Sequence, residues 1–353
     1  MGEEPLSTLL TGYDIGEYKI SDLSDTEIEP ILAGYNAVIA EREPRHIDFN
    51  VDEFRIFFGG PGRIRHHYLV TDSEGKPAAF LDLTYPDDGT TPRLIGASIN
   101  VLPEHRRKGV GSKLLRIAAD TSRELGREIL DASIVDTVPA GKAFAEATGA
   151  EPTLDFHLNT VKVADLDLDL LHSWQQAGPS RAPGYSVMVV DGMYPEGLLE
   201  GMAHLYLVLE RDMPHPDSWE PRTWSGEFVK KWLGNFLDGT DLMTAIALDE
   251  SGTPVGMSQL GRRHSEHTTW FVTTTMVDPE HRGHALGKWV KAAACLKALD
   301  KWPGAVWMET GNAFTNEAML GINHAMGFTH ELTWTEVELT VEGASAYLES
   351  RGI

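Results

Sequence analysis

Two stretches of this chain put the same residue types in the same register. "VLPEHRRKGVGSKL" runs from Val101 to Leu114, and "VDPEHRGHALGKWV" runs from Val277 to Val290, 176 positions downstream. Val, Pro, Glu, His, Arg and a Gly six places after the His are common to both. Each copy follows a strand-like run and leads into a helix-periodic one. At a helix start several backbone N–H groups lack intrahelical partners, and the helix dipole adds partial positive charge. Glycine at 109, 111 and 287 lets an anion approach the backbone, while Arg106, Lys108, Arg282 and Lys288 bring charge nearby. The spacing therefore predicts an anion site written twice, with a pyrophosphate as its natural ligand. A Walker loop is excluded because the Gly-Lys-Ser/Thr order is missing. A Rossmann fingerprint is excluded because the preceding strands form a meander.

These residues carry a family resemblance. "RRKGVG" resembles the Arg/Gln-x-x-Gly-x-Gly/Ala loop of the GCN5-related N-acetyltransferases (GNAT), and "RGHALG" is the variant common in their actinobacterial members. The resemblance covers both halves, in a tandem layout similar to that of the mycothiol synthases. It implies a loop that binds the pyrophosphate of coenzyme A, and a preceding strand that pairs with the pantetheine arm through backbone hydrogen bonds. Carried over residue by residue, the contacts fall on Val101, Arg106, Arg107, Lys108, Gly109, Val110, Gly111 and Ser112 in the first half. In the second half they fall on Val277, Arg282, Gly283, His284, Ala285, Leu286, Gly287 and Lys288. The family's pantetheine-contacting Asn, eleven residues before a closing Gly-Phe, is matched by Asn316 before Gly327-Phe328; the first half has no counterpart.

The chain departs from the family at two places. Ala285 stands where the loop has its first glycine. The family's general-acid Tyr, four residues before the closing glycine, is replaced by Asn323 in the second half and Ala145 in the first. The strands entering the two loops carry no carboxylate, so Glu309, on the strand after the second motif, is the candidate base, acting through water. Asn323 is the candidate at the acid position.

Supporting elements can be read around the motifs. The first half reads strand, helix ("DTEIEPILAGYNAVIAE"), hairpin about Ser-Glu-Gly-Lys, strand, motif, helix, strand, helix, and the second half repeats this order. Leu171 to Gly184, rich in Gly, Pro and Ser, reads as a linker between domains 1–170 and 185–353. "VADLDLDLL" before it reads as a strand or loop with one solvated face, since a calcium loop's glycine and closing glutamate are missing. The fold class expected is α/β (α+β), with two tandem GNAT-fold domains, each a mostly antiparallel mixed sheet flanked by helices. The aromatic segment "WEPRTWSGEFVKKWLGNF" is read as a helical wall of the acceptor site. His105 and His281 read as braces of their loops, and Cys295, Met308 and Met326 as core.

The bulk numbers are those of an ordinary globular protein. With 353 residues, 42% of them hydrophobic, the chain has length for two cores. A net charge of −23 argues against nucleic-acid binding; it suits a cationic or amine-bearing partner and equally a surface that the charge simply keeps solvated. The single cysteine rules out an internal disulfide, and no metal is expected. No basic leader or membrane-length apolar run is seen, so a cytoplasmic location is expected. The expected activity is acyl-CoA-dependent N-acyl transfer, acetyl or a short acyl from acetyl-CoA to a primary amine of a small molecule or peptide, with the second half catalytic. The rival is an acyl-CoA-binding module without turnover.

Overall fold

The computed structural model describes residues 11–60, 62–216, 218–313 and 317–353. In chain order these form β1 (Tyr13–Tyr18), α1 (Asp25–Arg42), α2 (Val51–Gly59), β2 (Arg63–Asp72), β3 (Pro77–Pro86), β4 (Leu94–Val101), α3 (Val110–Glu124), β5 (Ile129–Val135), α4 (Pro139–Thr148) and β6 (Glu151–Lys162). Then come α5 (Leu168–Arg181), β7 (Ser186–Asp191), α6 (Leu199–Asp212), α7 (Gly226–Leu237), β8 (Thr240–Leu248), β9 (Pro254–Arg263) and β10 (Thr269–Val277). The chain closes with α8 (Leu286–Lys301), β11 (Trp307–Ala313), α9 (Glu317–Ala325), β12 (Thr329–Thr340) and α10 (Val341–Ser350).

The chain folds into two compact units that are not continuous in sequence. One contains the chain up to Asp155, His215–Glu220 and Trp334–Ile353; the other contains Phe156–Pro214 and Pro221–Thr333. Each repeat thus gives its last strand to the other unit. In the first unit the strands run β1-β2-β3-β4-β5-β12, antiparallel except for the β4–β5 pair. In the second they run β7-β8-β9-β10-β11-β6, antiparallel except for β10–β11. The two sheets have the same plan, each with one parallel pair formed by its fourth and fifth strands.

Strand alternation sends successive side chains to opposite faces, and each sheet accordingly has two cores. In the first unit Leu81, Leu83, Ile95 and Leu130 pack against α3 and α10, and Phe80 packs with Ile28, Ile31 and Tyr35 of α1 on the other face. In the second unit Trp270, Met308 and Val161 pack against α8, while Ile246, Met257 and Met276 lie against α6 and α7. Capping chemistry sets several helix starts. Ser24 and Glu27 form a capping box at α1, Asn50 and Glu53 form one at α2, and Ser225 accepts from Phe228 N–H at α7.

Two segments differ from the sequence expectation. The Gly/Pro/Ser-rich stretch read as a linker is mostly helix α5, and "VADLDLDLL" is a short 3₁₀ turn running into it. Asp167 caps this helix by accepting from Leu170 N–H, Leu171 is buried, and Pro179 falls in its last turn. Gly178 has a packing role that composition hides: a Cβ there would overlap the indole of Trp289 on α8. The glycine lets the two helices close. The aromatic segment read as a helix is helical only from Gly226 onward.

Candidate active site

The two loops have the same backbone. A 3₁₀ turn at Pro103–His105 leads through Arg106–Gly109 into α3, and one at Pro279–His281 leads through Arg282–Ala285 into α8. Two positions in each are left-handed: Arg107 (φ 61°) and Gly109 (φ 85°) in the first, Gly283 (φ 87°) and Ala285 (φ 58°) in the second. Each copy uses glycine at one of these positions and accepts a strained residue at the other. Among the described residues only Thr91 shares a positive φ without being glycine. Conserving the conformation while the glycine changes place shows that the bend itself matters, because left-handed non-glycine backbone is held only where the surroundings impose it. Ala285, the departure from the family loop, thus keeps the loop's shape.

Such bends turn successive N–H groups to one side and make an anion-binding concavity. It opens onto the helix starts. Neither Gly109 nor Ala285 offers a side-chain cap, and the first intrahelical bonds of the two helices are those from Lys113 N–H to Gly109 O (3.0 Å) and from Trp289 N–H to Ala285 O (3.2 Å). The amides of Val110, Gly111 and Ser112, and of Leu286, Gly287 and Lys288, precede those bonds. The residues present therefore fit a pyrophosphate.

The motif arginines have another task. Arg106 Nε donates to Val101 O (2.9 Å), and its guanidinium takes the Glu41 carboxylate of α1 in a two-pronged pair. Arg282 Nε donates to Val277 O (3.1 Å) and pairs with Asp212 of α6. Both side chains tie the loop to its own strand and to a helix packed on the sheet, α1 in the first unit and α6 in the second. The histidines act alike: His105 Nδ1 meets Tyr13 OH at 3.0 Å, and His281 Nδ1 meets Tyr185 OH at 3.0 Å. The backbone N–H groups are left facing the concavity, with Arg107, Lys108 and His284 exposed nearby and Lys288 set near the face of Trp174.

Behind each loop the central strands part. The β4–β5 ladder spans only Leu94–Gly96 against Ile129–Asp131, and the β10–β11 ladder spans Thr269–Val272 against Trp307–Thr310. Beyond these rungs, toward Val101 and Val277, each strand offers backbone groups to an added strand-like ligand. The second unit has one further device. β10 bulges at Thr273, between the Val272 and Thr274 rungs. Thr273 Oγ1 donates to Gln259 Oε1 (3.0 Å), and Gln259 Nε2 reaches the hydroxyls of Tyr206 (2.9 Å) and Tyr194. No such shift interrupts the β3–β4 register of the first unit. Bulges next to a site re-aim backbone and side chains. This network was missed from sequence, because its members are scattered over three elements and a loop.

Glu309 is half-buried at the Phe271 rung, next to last in the parallel ladder. Asn316 lies outside the described residues. Asn323 is buried, and its Oδ1 accepts from Lys291 Nζ at 2.5 Å. An amide so engaged is not a proton donor in the manner of a phenol. Lys291 itself was overlooked in sequence, although a lysine inside the apolar run "WVKAAACL" was the available signal. Burial pushes its ammonium down to about 8 and pushes the neighbouring Cys295 thiol up to about 11. Cys295 is thus an inert core residue, as Met308 and Met326 are core.

The buried lysine gives a stability prediction. Its folded-state value lies below its unfolded one, so the lysine's own contribution to stability rises with pH from about 8; above about pH 9 the raised Cys295 thiol opposes it, and the net rise is confined to about pH 8–9. The first repeat has Leu115 and Ala145 at the matching places. A Lys291→Leu, Asn323→Ala protein is expected to lose this rise, which denaturant melts across that range would read; an unchanged slope would contradict the assignment.

Comparison with known proteins places this geometry. The sequence profile of the acetyltransferase (GNAT) family matches residues 35–149 and 205–328, and the chain belongs to that family. Among solved structures it is similar to a tandem GNAT protein from the clavulanic acid biosynthesis pathway, with TM-score 0.75, 22% identity, and coverage of 93% of this chain and 98% of that one. It is also similar to a GCN5-related N-acetyltransferase from Sphaerobacter thermophilus, with TM-score 0.65, 15% identity, and coverage of 95% and 97%. Among curated proteins no sequence matches the chain. The described residues contain no group of His, Cys, Asp and Glu able to hold a metal ion, and no helix long and apolar enough to cross a membrane.

Proposed function

We propose that the protein transfers an acetyl or short acyl group from coenzyme A to the primary amine of a small molecule or peptide, by direct attack in a ternary complex in the cytoplasm. The observation that carries this reading is the parting of β10 from β11 directly behind an uncapped, doubly bent loop. In this reading the amides of Leu286, Gly287 and Lys288 hold the pyrophosphate, with Gly283, His284 and Ala285 shaping the concavity. Val277 and the strand before it pair with the pantetheine arm. Arg282 and His281 keep the loop in place, and Asn316 is assigned to the pantetheine. The bulge at Thr273 supports the second unit as a catalytic one, since it frees backbone groups where the strands separate. Glu309 takes the amine's proton, directly or through water. Most of the rate then comes from holding amine and thioester together.

A count tests the reading. Native mass spectra of the full chain titrated with acetyl-CoA are expected to show bound acetyl-CoA saturating at two, one per loop. Saturation at one would make one loop a structural relic, and no binding would overturn the coenzyme reading.

A further inference from the structure

Asp131 occupies the rung in the first unit that Glu309 occupies in the second. In the parallel ladders Leu130 and Met308 are the fully enclosed residues of β5 and β11, packed in the cores beneath α3 and α8. Asp131 and Glu309 follow them directly, so alternation turns both carboxylates to the opposite face of the sheet. In the first unit that face is the one on which Asp82 meets Tyr35 of α1 (2.6 Å). Asp131 pairs with Gly96 in the last rung before β4 and β5 separate. Because the opposing residue is glycine, no side chain covers the carboxylate from β4.

We propose that Asp131 is the general base of a second transfer site, in the first unit, whose acceptor is an amine that arrives as an ammonium ion. The inference rests on the coenzyme reading above and goes beyond its assignment of catalysis to the second unit. The surroundings suit a cation. Glu338 stands directly across β12 from Asp131, and Glu336 lies two residues away, opposite Ser133. Arg63 of β2 is the opposing charge, and Gly96 contributes none. On the same face an open cleft of about 500 Å³ is lined by Ile129, Glu338, His215 and Ser218, with Arg93 at its wall. Asp131 is not in its lining, but Glu338, the rung partner of Asp131, forms one edge, so the body of an acceptor would lie next to Asp131 along the sheet. Burial, reinforced by Glu336 and Glu338, raises the Asp131 carboxyl to about 7. A base so poised takes a proton from an ammonium more readily than an ordinary aspartate does.

The step balances without a co-reactant. Asp131 accepts one proton from the ammonium, and the freed amine nitrogen bonds to the thioester carbonyl carbon. The carbon–sulfur bond then breaks, the coenzyme thiolate takes the second nitrogen-bound proton, and Asp131 returns its proton to water. The products are the amide and the free thiol.

The test uses the full chain carrying Gly287→Glu, with and without Asp131→Asn. Native mass spectra count bound acetyl-CoA, and thiol release is followed against pH with spermidine as the amine probe. The expected result is one acetyl-CoA bound to both proteins, with spermidine-dependent release in the parent rising through about pH 7. Asp131→Asn is expected to lower that release roughly 100-fold or more and to remove the rise, whereas Asp131→Glu keeps the pH-dependent limb. Acetyl-CoA bound with equal release in parent and Asn variant, or with no release in either, overturns the proposal. Failure of the parent to bind acetyl-CoA overturns the coenzyme reading of this unit and the proposal with it.

Discussion

Gly287→Glu is expected to abolish acetyl-CoA binding by the second unit, weakening it at least about 100-fold, or about 2.7 kcal/mol, while the first unit still binds. The reason is local. A Cβ at Gly287 would lie 3.6 Å from Ile322 Cδ1 and 3.8 Å from Val277 Cγ2, ordinary contact distances. Gly287→Ala should therefore fold and keep most of its affinity, which separates the effect of bulk from that of charge. The glutamate differs because its carboxylate sits in the first turn of α8, where the dipole and unbonded amides favour an anion. It becomes a tethered occupant of the pyrophosphate site. Stability should hold or rise slightly while affinity falls, a pairing that misfolding would not produce. Gly111→Glu does the same in the first unit, where a Cβ would meet Phe144 at 3.6 Å. Calorimetric titration of each variant reads one site at a time. Undiminished binding by both variants would remove the loops from the coenzyme site.

The loops were legible in sequence because their chemistry is local. Six identical residues in one register encode a strand end, a turn and a helix start, and the structure repeats all three. Elements that answer to distant partners were not legible. β6 and β12 each pair with a strand of the other repeat, and a reading that closes each half upon itself has no place for them. α5 was hidden by composition, since Gly178 and Pro179 look like linker residues until Trp289 is seen across from the glycine. The arginines were assigned to phosphate on charge alone. Their carboxylate partners, Glu41 and Asp212, lie 65 and 70 residues upstream, beyond any local pattern.

Glu309 is proposed as base from its position after the motif, and its rung in the ladder supplies the physical ground for a test. Glu309→Gln retains shape and hydrogen-bonding capacity but cannot take a proton. In a chain carrying Gly111→Glu, so that only the second unit is loaded, kcat/KM for the amine should fall by roughly 10²–10⁴, the usual worth of a positioned base. Acetyl-CoA affinity should stay within about twofold, or about 0.4 kcal/mol, since the loop that holds the coenzyme is untouched. The loss should appear in kcat rather than KM, because proton transfer matters in the transition state and not in holding the amine. A loss confined to KM would instead make Glu309 an ammonium-binding group. Joining Glu309→Gln to Asp131→Asn in an otherwise unaltered chain then measures whether the units work separately. Independent sites give each variant its own share of the total rate, and the double variant removes both shares; a single variant that silences the whole protein would mean that only one unit turns over.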